Sequence, residues 1–135
     1  MVSNLALLYM QDKKMSKVMP KTSPQQIATR ARQRIQALRE ALTRIDYVCS
    51  GTLLARMNTC GKPNCRCAQD PAARHGPYYQ WGHMKAGKPV YRLVSPQQAE
   101  LLRGAIANYR KMKKLLRSWE AETERIIDAE FPRNP

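Results

Sequence analysis

The sequence predicts an α+β fold in which two long helices form an antiparallel helical hairpin and a small three-stranded antiparallel β module is inserted between them. Three observations carry this reading. A three-four spacing of apolar residues appears twice, over 28–45 and again over 102–126. Between the two, aromatic and β-branched residues alternate with polar ones in short runs bounded by Gly and Pro, the pattern of strands and turns. Three of the four cysteines also fall in this middle region, within residues 60–67.

Residues 1–22 read as a flexible basic arm, polar in "QDKKMSKVMPKTSP" and broken by Pro20 and Pro24. The first heptad helix is expected over 23–49. Ser23 suits an N-cap, Pro24 the first helical position, and Gln26 completes a capping box. Its seam is Ala28, Ala31, Ile35, Leu38, Leu42 and Ile45, with Cys49 at the next seam position, and the helix is expected to run to about Val48 and stop before Gly51. The β module occupies 50–94. "SGTLLARMNTC" reads as one strand, and Tyr78–Met84 and Pro89–Val94 as a hairpin turning through Lys85-Ala86-Gly87-Lys88. Alternation places Tyr79, Trp81 and His83 on one face and Tyr78, Gln80 and Met84 on the other. Such a sheet is too small to bury a core alone.

The second heptad helix, 95–130, repeats the cap with Ser95, Pro96 and Gln98, and is followed by a tail at 131–135. Its seam reads Leu102, Ala105, Tyr109, Met112, Leu116, Trp119, Thr123 and Ile126. It is about ten residues longer than the first, an overhang of roughly 15 Å. In an antiparallel pair that overhang reaches past the first helix toward the arm, Lys13 to Lys21. The alternative is that the seams pair between chains and give a homodimer.

Net charge is +14 and unevenly spread: residues 1–117 hold 22 Lys/Arg against 5 Asp/Glu, whereas 118–135 hold 2 against 5. So large an excess calls for a polyanionic partner, and nucleic acid is the first choice over a membrane surface. No stretch has the length and apolarity of a membrane span, and the N-terminus lacks the basic lead-in and cleavage site of a secretory leader, so a cytoplasmic protein is expected. The expected phosphate-binding residues are Lys62, Arg66 and Arg74 near the cysteines, Lys85, Lys88 and Arg92 on the hairpin, and Arg110, Lys111, Lys113, Lys114 and Arg117 on the second helix. Arg30, Arg32, Arg34, Arg39 and Arg44 ride the first helix in the same way, since acids are scarce near them. Tyr78, Tyr79, Trp81 and Tyr91 interleave with the cations and can stack on bases or build the sheet's core.

In a reducing compartment clustered cysteines serve metal more often than disulfides. Cys60, Cys65 and Cys67 with His75 form a C-x4-C-x-C-x7-H pattern, which offers the four nitrogen and sulfur ligands of a structural zinc site. His83 is the alternative fourth ligand. An iron–sulfur cluster would have to recruit Cys49, and unligated or redox-active thiols are the remaining readings. A closed four-ligand site argues against catalysis. The module has one acid, Asp70, no phosphate-binding glycine loop and no nucleophile–base pair, so a nuclease built on His75, His83 and Asn64 is disfavoured.

The stretch "CGKPNCRCA…HGPYYQW…GKPVYRLVS…NYRKMKKLL" resembles a small family of bacterial and archaeal domains of unknown function, over about residues 50–118. The resemblance implies that Cys60, Cys65, Cys67 and His75 act together and hints at a companion of mobile genetic elements; it implies no mechanism. The expectation is a non-enzymatic, zinc-containing protein that binds nucleic acid, DNA before RNA, in an accessory or regulatory role. The alternative is a protein–protein adaptor or oligomerisation module that uses the helical seams.

Overall fold

The computed structural model describes residues 20–134. Its order is α1 (Pro24–Thr43), β1 (Thr52–Asn58), β2 (His75–Lys85), β3 (Lys88–Val94) and α2 (Pro96–Glu130), with single 3-10 turns at Arg66–Ala68 and Pro71–Ala73. This is the α+β arrangement of two helices flanking a three-stranded antiparallel sheet.

Both helices start as their cap chemistry dictates. Ser23 Oγ accepts from the Gln26 N–H at 3.2 Å while Gln26 Oε1 accepts from the Ser23 N–H at 3.0 Å. Ser95 and Gln98 repeat the box at 3.1 and 2.9 Å. Each box satisfies two backbone N–H groups that helix geometry leaves unpaired.

Helix α1 ends at Thr43, short of Val48. Ile45, Tyr47 and Val48 are weak helix formers, and their backbone has better partners on α2. Tyr47 C=O accepts from Asn108 Nδ2 at 3.0 Å, and the Cys49 N–H donates to Ala105 C=O at 3.1 Å. Residues 45–51 thus run as a strap outside any helix or strand, and Cys49 reaches the core from the strap and not from a helical seam.

The helices pair antiparallel: Arg32 bonds Glu130 and Arg34 bonds Glu122 at one end, while the Cys49–Ala105 bond lies at the other. The seam of α1 faces inward along its whole length, with Ala28 and Ala31 fully buried. The overhang expected at the acidic end is instead at the opposite end. Ala129 and Glu130 stand beside Pro24, Gln25 and Ala28, level with the start of α1. The extra length, about 22 Å for the difference between 35 and 20 residues, underlies the sheet. The acidic end therefore pairs with Arg32 and Arg34. Of the arm expected at 1–22, residues 1–19 lie outside the described residues.

The second seam is also corrected. Leu102, Ala105, Tyr109, Met112, Trp119 and Ile126 are inward, but Leu116 and Thr123 are exposed and Leu115 and Glu122 take their places. The reason is a change of partner. Ala99, Leu102 and Ile106 meet the sheet, whereas Met112, Leu115, Trp119, Glu122 and Ile126 form the stripe toward α1. At about 100° per residue these two sets occupy different sides of one helix.

The sheet order is β1-β2-β3. Cross-strand rows Leu53–Trp81–Arg92 and Ala55–Tyr79–Val94 point toward α2. Val94, Ala99, Leu102 and Ile106 form the core, with Cys49, Leu53, Tyr79 and Trp81 packed against it. Trp81 Nε1–H donates to Ser50 C=O at 3.1 Å, and its ring stacks on His83 at 3.8 Å between centroids. Of the two uses open to Trp81, stacking on bases and building the core, the structure shows the second: it is half-buried and packs against the core.

The hairpin turn places both central residues in the left-handed region, Ala86 at φ 50° and Gly87 at φ 76°. That is the type I′ geometry, which suits Gly or Asn and strains Ala. Ala86→Asn is expected to raise the unfolding free energy by about 0.5–1 kcal/mol in a urea titration. An unchanged or lower value would mean that the turn does not hold this conformation in solution.

Candidate metal centre

The chain that carries the cysteines is the connection between β1 and β2, residues 59–74. A connection this long, with two single 3-10 turns as its elements, needs an internal tie. The register supplies the first part. The ladder slips between Arg56 and Asn58, so that Asn58 faces His75, the first residue of β2. Cys60 follows two residues after Asn58. Gly61 then turns the chain at φ 76°, and the Cys65 N–H closes a turn onto Lys62 C=O at 3.2 Å. Cys65 caps the 3-10 turn Arg66–Ala68, which carries Cys67 inward. Asp70 Oδ1 accepts from the Ala72 N–H at 3.0 Å and caps the next turn, Pro71–Ala73, which returns the chain to His75.

The four candidate ligands meet. Cys60 Sγ, Cys65 Sγ, Cys67 Sγ and one His75 ring nitrogen all lie within 4.8 Å of one another. Cys60 and Cys67 sulfurs are 3.5 Å apart, and Cys65 Sγ is 3.4 Å from His75 Nε2. A tetrahedral ion with bonds of about 2.3 Å to sulfur and about 2.0 Å to nitrogen spaces its ligand atoms about 3.5–3.8 Å apart. The cluster therefore has the size and donor set of a four-coordinate metal site. Cys67 is buried, Cys65 half-buried, and Cys60 and His75 face solvent.

Backbone N–H groups aim at the sulfurs, and the thiols differ in acidity. The Cys65 thiol is lowered, first by a backbone hydrogen bond from Cys67 and then by the Cys67 and Cys60 side chains. The Cys60 N–H donates to Cys67 Sγ at 3.4 Å and by itself lowers that thiol, but burial and the neighbouring Cys65 and Cys60 thiols outweigh it and push Cys67 up. A bound cation would hold all three as thiolates.

Neither alternative ligand takes part. His83 stacks on Trp81 on the inner face of the sheet, and Cys49 packs against the core. Asp70 is occupied as a cap and stands 3.8 Å from Arg66 in an exposed pair.

The expected phosphate-binding cations do not form one patch. Lys62, Arg66 and Arg74 surround the cluster, all exposed. Lys85 and Lys88 pair across the hairpin tip, about 33 Å away along β2. Arg92 is exposed on β3 with its guanidinium 5.2 Å from the Trp81 ring. Arg110, Lys111, Lys113, Lys114 and Arg117 are exposed on α2, Lys113 lying 5.5 Å from the Tyr109 ring. Among the described residues only Arg66 of these eleven has an acidic partner. On α1 the expectation fails for Arg32 and Arg34, which pair with Glu130 and Glu122.

Residues 26–104 match a family model described as a domain of unknown function, DUF6788. The chain belongs to this family. The DUF6788 match includes all four ligands, begins within α1 and ends within α2, so it starts earlier and stops sooner than the resemblance at 50–118 implied. No curated protein and no solved structure matches the chain.

Spacing alone did not single out Gly76, which has φ 135° and where a Cβ would sit 2.7 Å from Arg56 C=O and 2.9 Å from Met57 Sδ. Its signal was the Gly-Pro step after His75. Only glycine lets β2 begin this close to β1. Gly76→Ala is expected to cost about 1–3 kcal/mol in thermal or urea unfolding. Wild-type stability in that variant would show that the β1–β2 junction is not as tight as described.

Proposed function

We propose that this DUF6788 protein is a non-enzymatic nucleic-acid-binding protein, with DNA as the first substrate to test, whose β module is held by a structural zinc ion on Cys60, Cys65, Cys67 and His75. The observation that carries the reading is a closed Cys3His cluster at the root of a module with seven Lys/Arg and one acid, Asp70, over residues 50–94. Sulfur and imidazole donors in tetrahedral spacing favour zinc over calcium or magnesium, which need oxygen. Iron–sulfur ligation would want a fourth cysteine, and Cys49 is committed to the core. Four protein ligands leave no open position for a substrate, which supports a structural role. Cations without acidic partners on the module and along α2 would give salt-dependent phosphate binding. An accessory role beside a mobile genetic element, which the family resemblance hints at, belongs to this same reading.

The adaptor reading rests on one observation. Leu116 and Ile127 are exposed on α2, 44% and 52%, and could meet a partner helix. The inner stripes of α1 and α2 are already used within the chain, which leaves less apolar surface for a partner.

Zinc is expected at one ion per chain by elemental analysis. Cys67→Ala or a chelator should remove it and lower the melting temperature. The bound form holds three thiolates and a neutral imidazole, fewer protons than the free ligands. Affinity for the ion should therefore fall as pH falls, read by competition with a chromogenic chelator. A purified chain with no zinc, whose stability is indifferent to chelation, would end the structural-zinc reading.

Binding to a labelled mixed-sequence duplex is expected to weaken linearly in log–log salt plots. Replacing Lys111, Lys113 and Lys114 together by Ala should reduce the slope by about 2–3. No binding at low salt would end the nucleic-acid reading and bring the adaptor reading forward.

A further inference from the structure

We infer that the outer face of the sheet is a stacking platform for unpaired bases, so that the nucleic acid this protein takes is single-stranded where it crosses the module. The inference rests on the nucleic-acid reading above and gives it a substrate class.

The register divides the aromatic residues between two faces. Tyr79 and Trp81 lie inward against the core. The opposite face carries the rows Thr52–Gly82–Tyr91, Leu54–Gln80–Leu93 and Arg56–Tyr78. Nothing among the described residues covers it. Tyr91 is 67% exposed, Leu93 70%, Met84 61%, and Leu54 and Tyr78 44% each. The core has its own aromatics, so this face is not required to close it.

Tyr91 is held in place. A Cβ built on Gly82 would lie 2.9 Å from two carbons of the Tyr91 ring, so the ring lies across the glycine and leaves its other side open. A ring braced against backbone keeps its orientation without a partner, which lowers the entropic cost of stacking a base on it. Beside it is a hollow of about 300 Å³ between Thr52, Gly82, Met84, Pro89 and Tyr91, open to solvent.

Charge selects the occupant. Arg56 shares the face with Tyr78, Arg74 stands near the metal end of β2, and Lys85 and Lys88 stand at the hairpin tip. The one acid of the module, Asp70, is engaged in the connection loop. An aromatic and apolar floor with Arg56 on it at the metal end, and with Lys85 and Lys88 at the tip in the row of the other face, suits a strand whose bases face inward and whose phosphates reach these edge cations. A duplex keeps its bases stacked on one another and offers none to Tyr78 or Tyr91. A second copy of this chain would bring its own cationic rim and a net charge of +14 against the first.

The test measures anisotropy of the zinc-loaded full chain with one labelled mixed-sequence 12-mer, single-stranded and then as a duplex, at one salt concentration. The variants are Tyr91→Phe, Tyr91→Leu and Tyr78→Ala, with far-UV circular dichroism as the check on folding. Tyr91→Leu keeps an apolar cover over Gly82 but removes the ring. Wild type is expected to prefer the single strand. Tyr91→Leu and Tyr78→Ala should each weaken single-strand binding about tenfold and leave duplex binding within about twofold, and Tyr91→Phe should retain single-strand affinity. Single-strand binding that is indifferent to both tyrosines, or lost equally on duplex, overturns the platform and leaves the nucleic-acid reading standing. Wild type that binds neither probe at low salt overturns both. Wild type that sediments as a dimer and becomes a monomer in Tyr91→Leu, with nucleic-acid affinity unchanged, overturns the platform in favour of self-association.

Discussion

The convergence of Cys60, Cys65, Cys67 and His75 is the constraint on which the module depends. It ties the end of β1 to the start of β2 across a connection that spans residues 59–74 and contains two isolated 3-10 turns. Without a tie, the entropy of that loop opposes the β1–β2 pairing. The sheet has little else to offset it. Its buried residues number few, and the core it shares with α2 is built on Val94, Ala99, Leu102 and Ile106. A site formed by residues from both ends of the loop fixes the register slip at Asn58, and the register in turn decides which tyrosines face the core.

Helix α2 is the second constraint. Its N-terminal turns carry the sheet and the strap, and the rest of the helix pairs with α1. One element thus joins the sheet to α1, which among the described residues has no contact of consequence with the strands. At the far end of the helical half, Glu122 and Glu130 of α2 meet Arg32, Arg34 and Arg125. The module has one acid, Asp70, so that among the described residues six of its seven cations have no acidic partner.

What could be read from the sequence follows from how local each cause is. Both capping boxes were legible because Ser, Pro and Gln act within four residues of one another. The strands and the Ala86-Gly87 turn were legible from alternation and from glycine. The ligand types announced a metal site, but His75 and His83 could be separated only by the register slip and by the stack on Trp81, which are tertiary. The end of α1 was misplaced because bonds from Cys49 and Tyr47 to α2 decide it. The second seam was misplaced at Leu116 and Thr123 because a single repeat cannot describe a helix with two partners on different sides. Alternation assigned Tyr78 and Tyr79 to opposite faces, yet it could not say which face the helix would cover.

The uncovered face then acquires meaning from the balance between the two halves of the molecule. Burying Leu54, Met84, Tyr91 and Leu93 against a helix would have stabilised so small a sheet, since each is a large apolar group left in water. The chain instead uses its long helix on one face alone and ends β2 and β3 in a turn flanked by Lys85 and Lys88. An antiparallel sheet packed on one face can leave the other in water, provided that its strands keep their register. The Cys3His tie at one end and the tight turn at the other supply that. The Cys3His cluster and the Ala86-Gly87 turn thus brace the two ends of β2, and the face between them, with Tyr78, Tyr91 and Leu93 on it, stays exposed without a second packing layer.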